Sequence, residues 1–321
     1  MKIHRFIKTA VLVTLALSSI SGLRVSQTDT VKVGKAPHYM TISPDGNSLF
    51  LTNFFSDEIS VIDLRTHKKK EPFYAGIQPL GIAMTPAGDR ILVTNMSNGL
   101  IKVIDAQNYE ILDDIKVGDM PSNIVIAPNG SEAFVTNYGR GAIGRIDFID
   151  IASQRDVADL QVGIRPMAAV VSPLSDRLFV VCGGSNELYV IDIAARKVIA
   201  QVPTGLAPDG MALSPDGNTL YISNSGSNDI SVVDLIDLKE TRRVKVGSKP
   251  FSIAVGSNGM IFVVETGSNT LSIFSPEWEK LTSVKTGKHP IDVELSADGR
   301  WAYVTAELDN RVFIYQLTTD N

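Results

Sequence analysis

Six residues that could do chemistry stand one or two positions after a proline in short apolar runs: His38, Tyr39, Asn123, Asp209, Ser252 and Asp292. An imidazole, a phenol, an amide, a hydroxyl and two carboxylates, beside Leu80, Met167 and Phe251, have the mixed character of a ligand pocket: apolar surface to bury, and a few polar groups to orient. Glu265 joins this set because it places a carboxylate where other copies of the same motif carry Asn. His38, His289 and Asp292 combine imidazole and carboxylate groups and form a candidate site for a divalent metal, the one cofactor the residues suggest. Phe54, Phe55, Tyr138 and Arg140 are aromatic and arginine side chains in loop segments, the types that anchor protein partners. No Gly-x-Ser-x-Gly or Ser-x-His arrangement occurs, so no acyl-transfer nucleophile is indicated. Cys182 lies in an apolar run and reads as a small buried hydrophobe.

These residues are placed by a repeat. Gly-x-x-Pro occurs at Gly34, Gly76, Gly118, Gly163, Gly205, Gly247 and Gly287, at steps of 42, 42, 45, 42, 42 and 40 residues. Each copy continues with an apolar run, a turn such as SPDG, a second apolar run that usually ends in Asn, a polar hairpin, and usually VID. A period of this length carrying four short strands specifies a β-propeller blade, so the fold expected is an all-β, seven-bladed propeller of four-stranded blades. In the first blade the strands are expected at 38–43, 48–53, 58–64 and 70–75. The second strands (LFLTN, ILVTN, AFVTN, LYISN) are continuous apolar runs, as expected of strands buried on both faces. Asn53, Asn95, Asn137 and Asn224, and the aspartates of VID, recur too regularly for a site and read as turn and strand-end devices. SPLS at 172–175 lacks the glycine of the other turns and is expected to turn differently.

The last repeat ends after its third strand, whereas Thr30–Val33 precedes the first complete blade. The N-terminal strand is therefore expected to complete the last blade and close the ring. Ahead of it, Lys2, Arg5 and Lys8, an apolar stretch from Thr9 to Leu17 and a polar end at Gly22 form a secretory leader over residues 1–22, leaving 23–321 as one propeller domain. The leader's apolar stretch is too short to span a bilayer, and no later segment approaches the length required. The chain has 30 basic and 35 acidic residues, so nucleic acid is a weak expectation for a partner. A single cysteine rules out an internal disulfide.

The combination of LTN at Leu51–Asn53, VTN at Val93–Asn95 and Val135–Asn137, PDG-type turns and VID resembles the YVTN family of bacterial and archaeal β-propellers. That resemblance implies a secreted, periplasmic or surface-layer binding scaffold, and a monomer with a protein or cell-envelope ligand is expected. Broader seven-bladed relatives include lactonases and propeller subunits of redox enzymes, which makes a hydrolase or redox-complex subunit the alternative to a non-catalytic binder. An extracytoplasmic nucleic-acid binder is the third reading. The family's Asn is absent at Cys182, Glu265 and Ala306.

Overall fold

The computed structural model describes residues 22–139 and 143–319. Residues 1–21, which hold nearly all of the expected leader, and Arg140 lie outside the described residues. Seven antiparallel sheets follow one another along the chain, and their innermost strands pack in a closed ring in which the first touches the last. Blade 2 shows the plan, with strands Pro79–Met84, Arg90–Asn95, Leu100–Asp105 and Ile111–Lys116 from the axis outward. Among the described residues no helix is long and apolar enough to cross a membrane.

The ring closes as expected, with a longer strand than the sequence suggested. Leu23–Lys32 pairs with Arg311–Thr319 as the outer strand of blade 7, with a bulge between Gln27 and Asp29. Val31 and Val33 are buried with Val312, Ile314 and Tyr303 of blade 7 and with Leu49 and Leu51 of blade 1. Full burial of each such aliphatic side chain contributes about 1.5–3 kcal/mol. The N-terminal strand thus joins two blades that the chain leaves far apart in sequence.

Two local expectations differ. The outer strand of blade 1 is split into Lys68–Lys69 and Phe73–Tyr74, because Pro72 between them has no N–H to give to the ladder. The blade-4 turn is not different: Ser175 takes the left-handed conformation at φ 58°, and its N–H donates to Ser172 O at 2.9 Å. Gly46 makes the same bond to Ser43 O at 2.8 Å. The turn geometry is imposed by the blade, and serine accepts the strain that glycine avoids.

The Gly-x-x-Pro motif is explained by close approach. Each motif glycine lies against the residue that ends the second strand of its blade: a Cβ on Gly118 would stand 2.9 Å from Cγ of Asn137, and one on Gly163 would stand 2.9 Å from Cβ of Cys182. The residue before each proline, from Ala36 to His289, has φ between 49° and 57°. Its carbonyl accepts an N–H just past the second strand, as Ala36 O does from Phe54 at 2.9 Å. In five blades its own N–H is capped by the preceding blade's hairpin, where Oδ1 of Asp57, Asn186, Asn228, Asn269 or Asn310 accepts at 2.7–2.9 Å. These hairpin residues also have positive φ, a conformation that Asn and Asp tolerate best among side-chain-bearing residues. A second set of inter-blade bonds comes from the Thr or Ser before the strand-ending residue. Thr52, Thr94, Ser223 and Thr305 donate to Leu80 O, Ser122 O, Phe251 O and His38 O of the next blade.

Candidate functional site at the channel mouth

The innermost strands surround a cavity of about 440 Å³ along the axis. Because side chains alternate along a strand, the second and fourth positions after most of the motif prolines line it. The second-position level includes Tyr39, Asn123, Ala168, Ser252 and Asp292, and the fourth-position level includes Thr41, Ala83, Val125, Val170, Ala254 and Glu294. Asp209, one place after its proline, also lines the cavity at the mouth. Five expected ligand-binding residues therefore meet in one space: Tyr39, Asn123, Asp209, Ser252 and Asp292.

Several of them are also structural. Asp292 is buried, its Oδ2 accepting from Met40 N–H at 2.9 Å and its Oδ1 from the Ser252 hydroxyl at 2.8 Å. Asn123 Oδ1 accepts from Ala169 N–H at 3.1 Å. The mouth is thus fixed by bonds that cross from blade to blade, a pre-organised arrangement that lowers the ordering cost of binding.

The carboxyls are held in poorly solvating surroundings. Burial pushes Asp209 up to about 6, opposed by the Ser225 hydroxyl and the Arg165 guanidinium. Burial raises Asp292 also, against its two hydrogen bonds and the nearby His38. Glu294 is pushed up to about 8, first by its enclosure among apolar walls and then by the charge of Asp292. Glu294 was missed in the sequence, although the alternation of acidic and apolar residues in Ile291–Leu295 places Asp292 and Glu294 on the same face. Tyr39 and Tyr138 are raised by burial and by these carboxyls, Tyr138 to about 12.

Other expected residues fall elsewhere. His38 does not line the cavity: its Nε2 is 3.7 Å from Glu307 Oε1 and its ring centroid is 5.7 Å from that of Phe54. His289 Nδ1 lies 2.5 Å from Glu307 Oε2. The two histidines therefore share Glu307, while Asp292 is engaged with Met40 and Ser252. The expected His38, His289 and Asp292 metal set does not assemble, and among the described residues no three His, Cys, Asp or Glu side chains are grouped so as to hold a metal ion. Glu265 is turned into its own blade, its Oε1 accepting from Gly247 N–H at 2.8 Å and its Oε2 from the Thr270 hydroxyl at 2.6 Å. It accepts the motif glycine N–H, a bond that Ser60, Asp147 and Ser231 make in blades 1, 3 and 5, whereas the Asn residues at its position donate through Nδ2.

Tyr138, expected in a partner surface, is instead largely enclosed, with Ser122 and Asp209 beside its hydroxyl. Phe55 remains exposed, with Phe54 packed edge-on to it at 5.1 Å. Cys182 is buried and its thiol is pushed up to about 12, which makes it inert as a nucleophile at neutral pH.

Comparison with known proteins agrees with the fold. Residues 177–308, from the second strand of blade 4 into blade 7, match the family model described as SMP-30/Gluconolactonase/LRE-like region. That segment contains Asp209, Ser252, Asp292 and Glu294. The solved structure titled Kuenenia stuttgartiensis Hydrazine Synthase is similar at 23% identity and TM-score 0.80, over 92% of this chain and 98% of that one. No curated protein matches. The chain is a seven-bladed β-propeller whose second half is similar to the SMP-30/gluconolactonase-like region.

Proposed function

We propose that this chain is an extracytoplasmic binding propeller that takes a small polar ligand at the mouth of its central channel. The observation that carries the reading is the convergence of Tyr39, Asn123, Asp209, Ser252 and Asp292 on one cavity of about 440 Å³. These are positions at which the blades differ, whereas the surrounding framework repeats. The volume lies within the range of small-molecule sites, about 300–1,000 Å³. A protein partner on the same face, reaching Phe55 and neighbouring loops, is compatible with this site.

The test is thermal melting of the secreted form against sugars, lactones, amines and cell-wall fragments. A ligand at about one hundred times its Kd adds roughly 2.7 kcal/mol of stability. The shift should vanish in Asp209→Asn, and a flat panel would overturn the small-ligand reading.

A lactone hydrolase is the second reading. It is supported by the similarity of residues 177–308 to the gluconolactonase-like region and by Asp209, whose carboxyl at about 6 is suited to accept a proton from water near neutral pH. Lactone opening faster than the spontaneous rate, abolished in Asp209→Asn, would select this reading over simple binding.

A further inference from the structure

The lower half of the channel is not used by the mouth site and has an unusual composition. At its level Thr41, Ala83, Val125, Val170 and Ala254 present only hydrocarbon groups and one hydroxyl, and Glu294 is the single ionisable side chain. The Glu294 carboxyl takes no hydrogen bond from the described residues, its electrostatic neighbour being Asp292 above it. The whole cavity wall contains three carboxyls, Asp209, Asp292 and Glu294, and no Lys, Arg or His. The titratable groups facing Glu294 are thus Asp292 on its own strand, with Tyr39 and Asp209 nearer the mouth. His38 acts electrostatically on Asp292, and Arg165 on Asp209, but neither lines the cavity.

We infer that the channel is a site for an alkylammonium group, its charged nitrogen lying between Asp292 and Glu294 and its carbon chain against the alanine and valine walls. This rests on the channel-mouth reading and names the ligand class. An anion would meet three acids and no cation, and a neutral polyol would leave the apolar lower walls without a complementary surface. A free amine and the side chain of a lysine offered by a partner share the same chemistry.

Its enclosure and the Asp292 charge raise the Glu294 carboxyl enough to favour the protonated form at neutral pH. Placing a cation beside it favours the ionised form, so binding should release protons to the buffer.

The experiment is calorimetric titration of the chain with n-butylammonium, n-butanol and Nα-acetyl-lysine methylamide in two buffers of different ionisation enthalpy. The expected result is binding of the two ammonium compounds and not of butanol, with the observed heat depending on the buffer and affinity rising from pH 5 to pH 7.5. In Glu294→Gln the affinity should fall about tenfold or more and the buffer dependence should disappear. Tighter binding of the lysine derivative than of butylammonium assigns the site to a partner's side chain, and the reverse assigns it to a diffusible amine. Equal binding of butanol, or an unchanged Glu294→Gln, overturns the inference. A neutral ligand whose binding depends on Asp209 and not on Glu294 would overturn the amine while leaving the mouth site standing. Absence of binding by every compound tried would remove both.

Discussion

Asp209→Asn should make the protein more stable at neutral pH, because the carboxyl is held where it is poorly solvated when charged. Asp209 is only 7% exposed, and its folded-state pKa is about 6 against an ordinary value of 3.8. A carboxyl whose folded pKa is raised binds more protons folded than unfolded, so stability falls as pH rises from about 4 to about 6 and stays low above that. The full penalty is on the order of 3 kcal/mol at about 1.4 kcal/mol per pKa unit, of which about 1 kcal/mol is already present at pH 4.5. Asn keeps the shape and removes the charge. Its advantage over the wild type should therefore grow by about 2 kcal/mol between pH 4.5 and pH 8, less whatever Arg165 loses with its partner. Denaturant melts of both proteins at the two pH values measure this directly, and a shift of about 2 °C per kcal/mol is expected in thermal scans of a chain this long. The reasoning fails if Asp209→Asn is less stable by the same amount at both pH values, which would mean that its hydrogen bonds, and not its desolvated charge, decide its energetics.

Two further substitutions test the framework. Asn310→Ala removes the acceptor of the buried Ala36 N–H and places alanine at φ 52°, so it should cost about 2–4 kcal/mol by melting. Asn310→Gly should cost less, since glycine restores the conformational freedom. Arg145→Ala strands Asp147, which is fully buried with Arg145 Nη2 2.7 Å away, and should cost about 3 kcal/mol in denaturant melts. Adding Asp147→Asn should recover much of that loss, because the uncompensated charge is gone.

The framework was legible because it repeats. The second strand of blade 1 falls at Ser48–Asn53 as read from its apolar run, and ring closure followed from a missing fourth strand at one end and a spare strand at the other. Single departures from the repeat were harder to interpret. Glu265 breaks the Asn pattern and so reads as a site residue, yet its carboxylate is consumed inside the blade by the Gly247 N–H and the Thr270 hydroxyl. His38 follows its proline as Asp209 does, but its ring turns toward Glu307, and only the three-dimensional packing of blade 7 against blade 1 decides that. Glu294 stands four residues after its proline, past the two positions that the proline marks, and only period-two alternation carries the channel face that far. The left-handed Ser175 and the hairpin asparagines show the same limit: turn geometry is set by neighbouring blades as well as by local residue type.

The central claim is that the channel itself is the binding site, and a plug tests it most directly. Ala168→Phe adds a ring at the second-position level of the cavity without altering any of the polar residues there. Titration of a ligand found by the melting panel should show one site in the wild type and in Leu174→Ser, an exposed turn position outside the channel, and no binding in Ala168→Phe once its melt confirms a folded chain. Undiminished binding by the plugged protein would place the ligand elsewhere on the propeller and contradict the account.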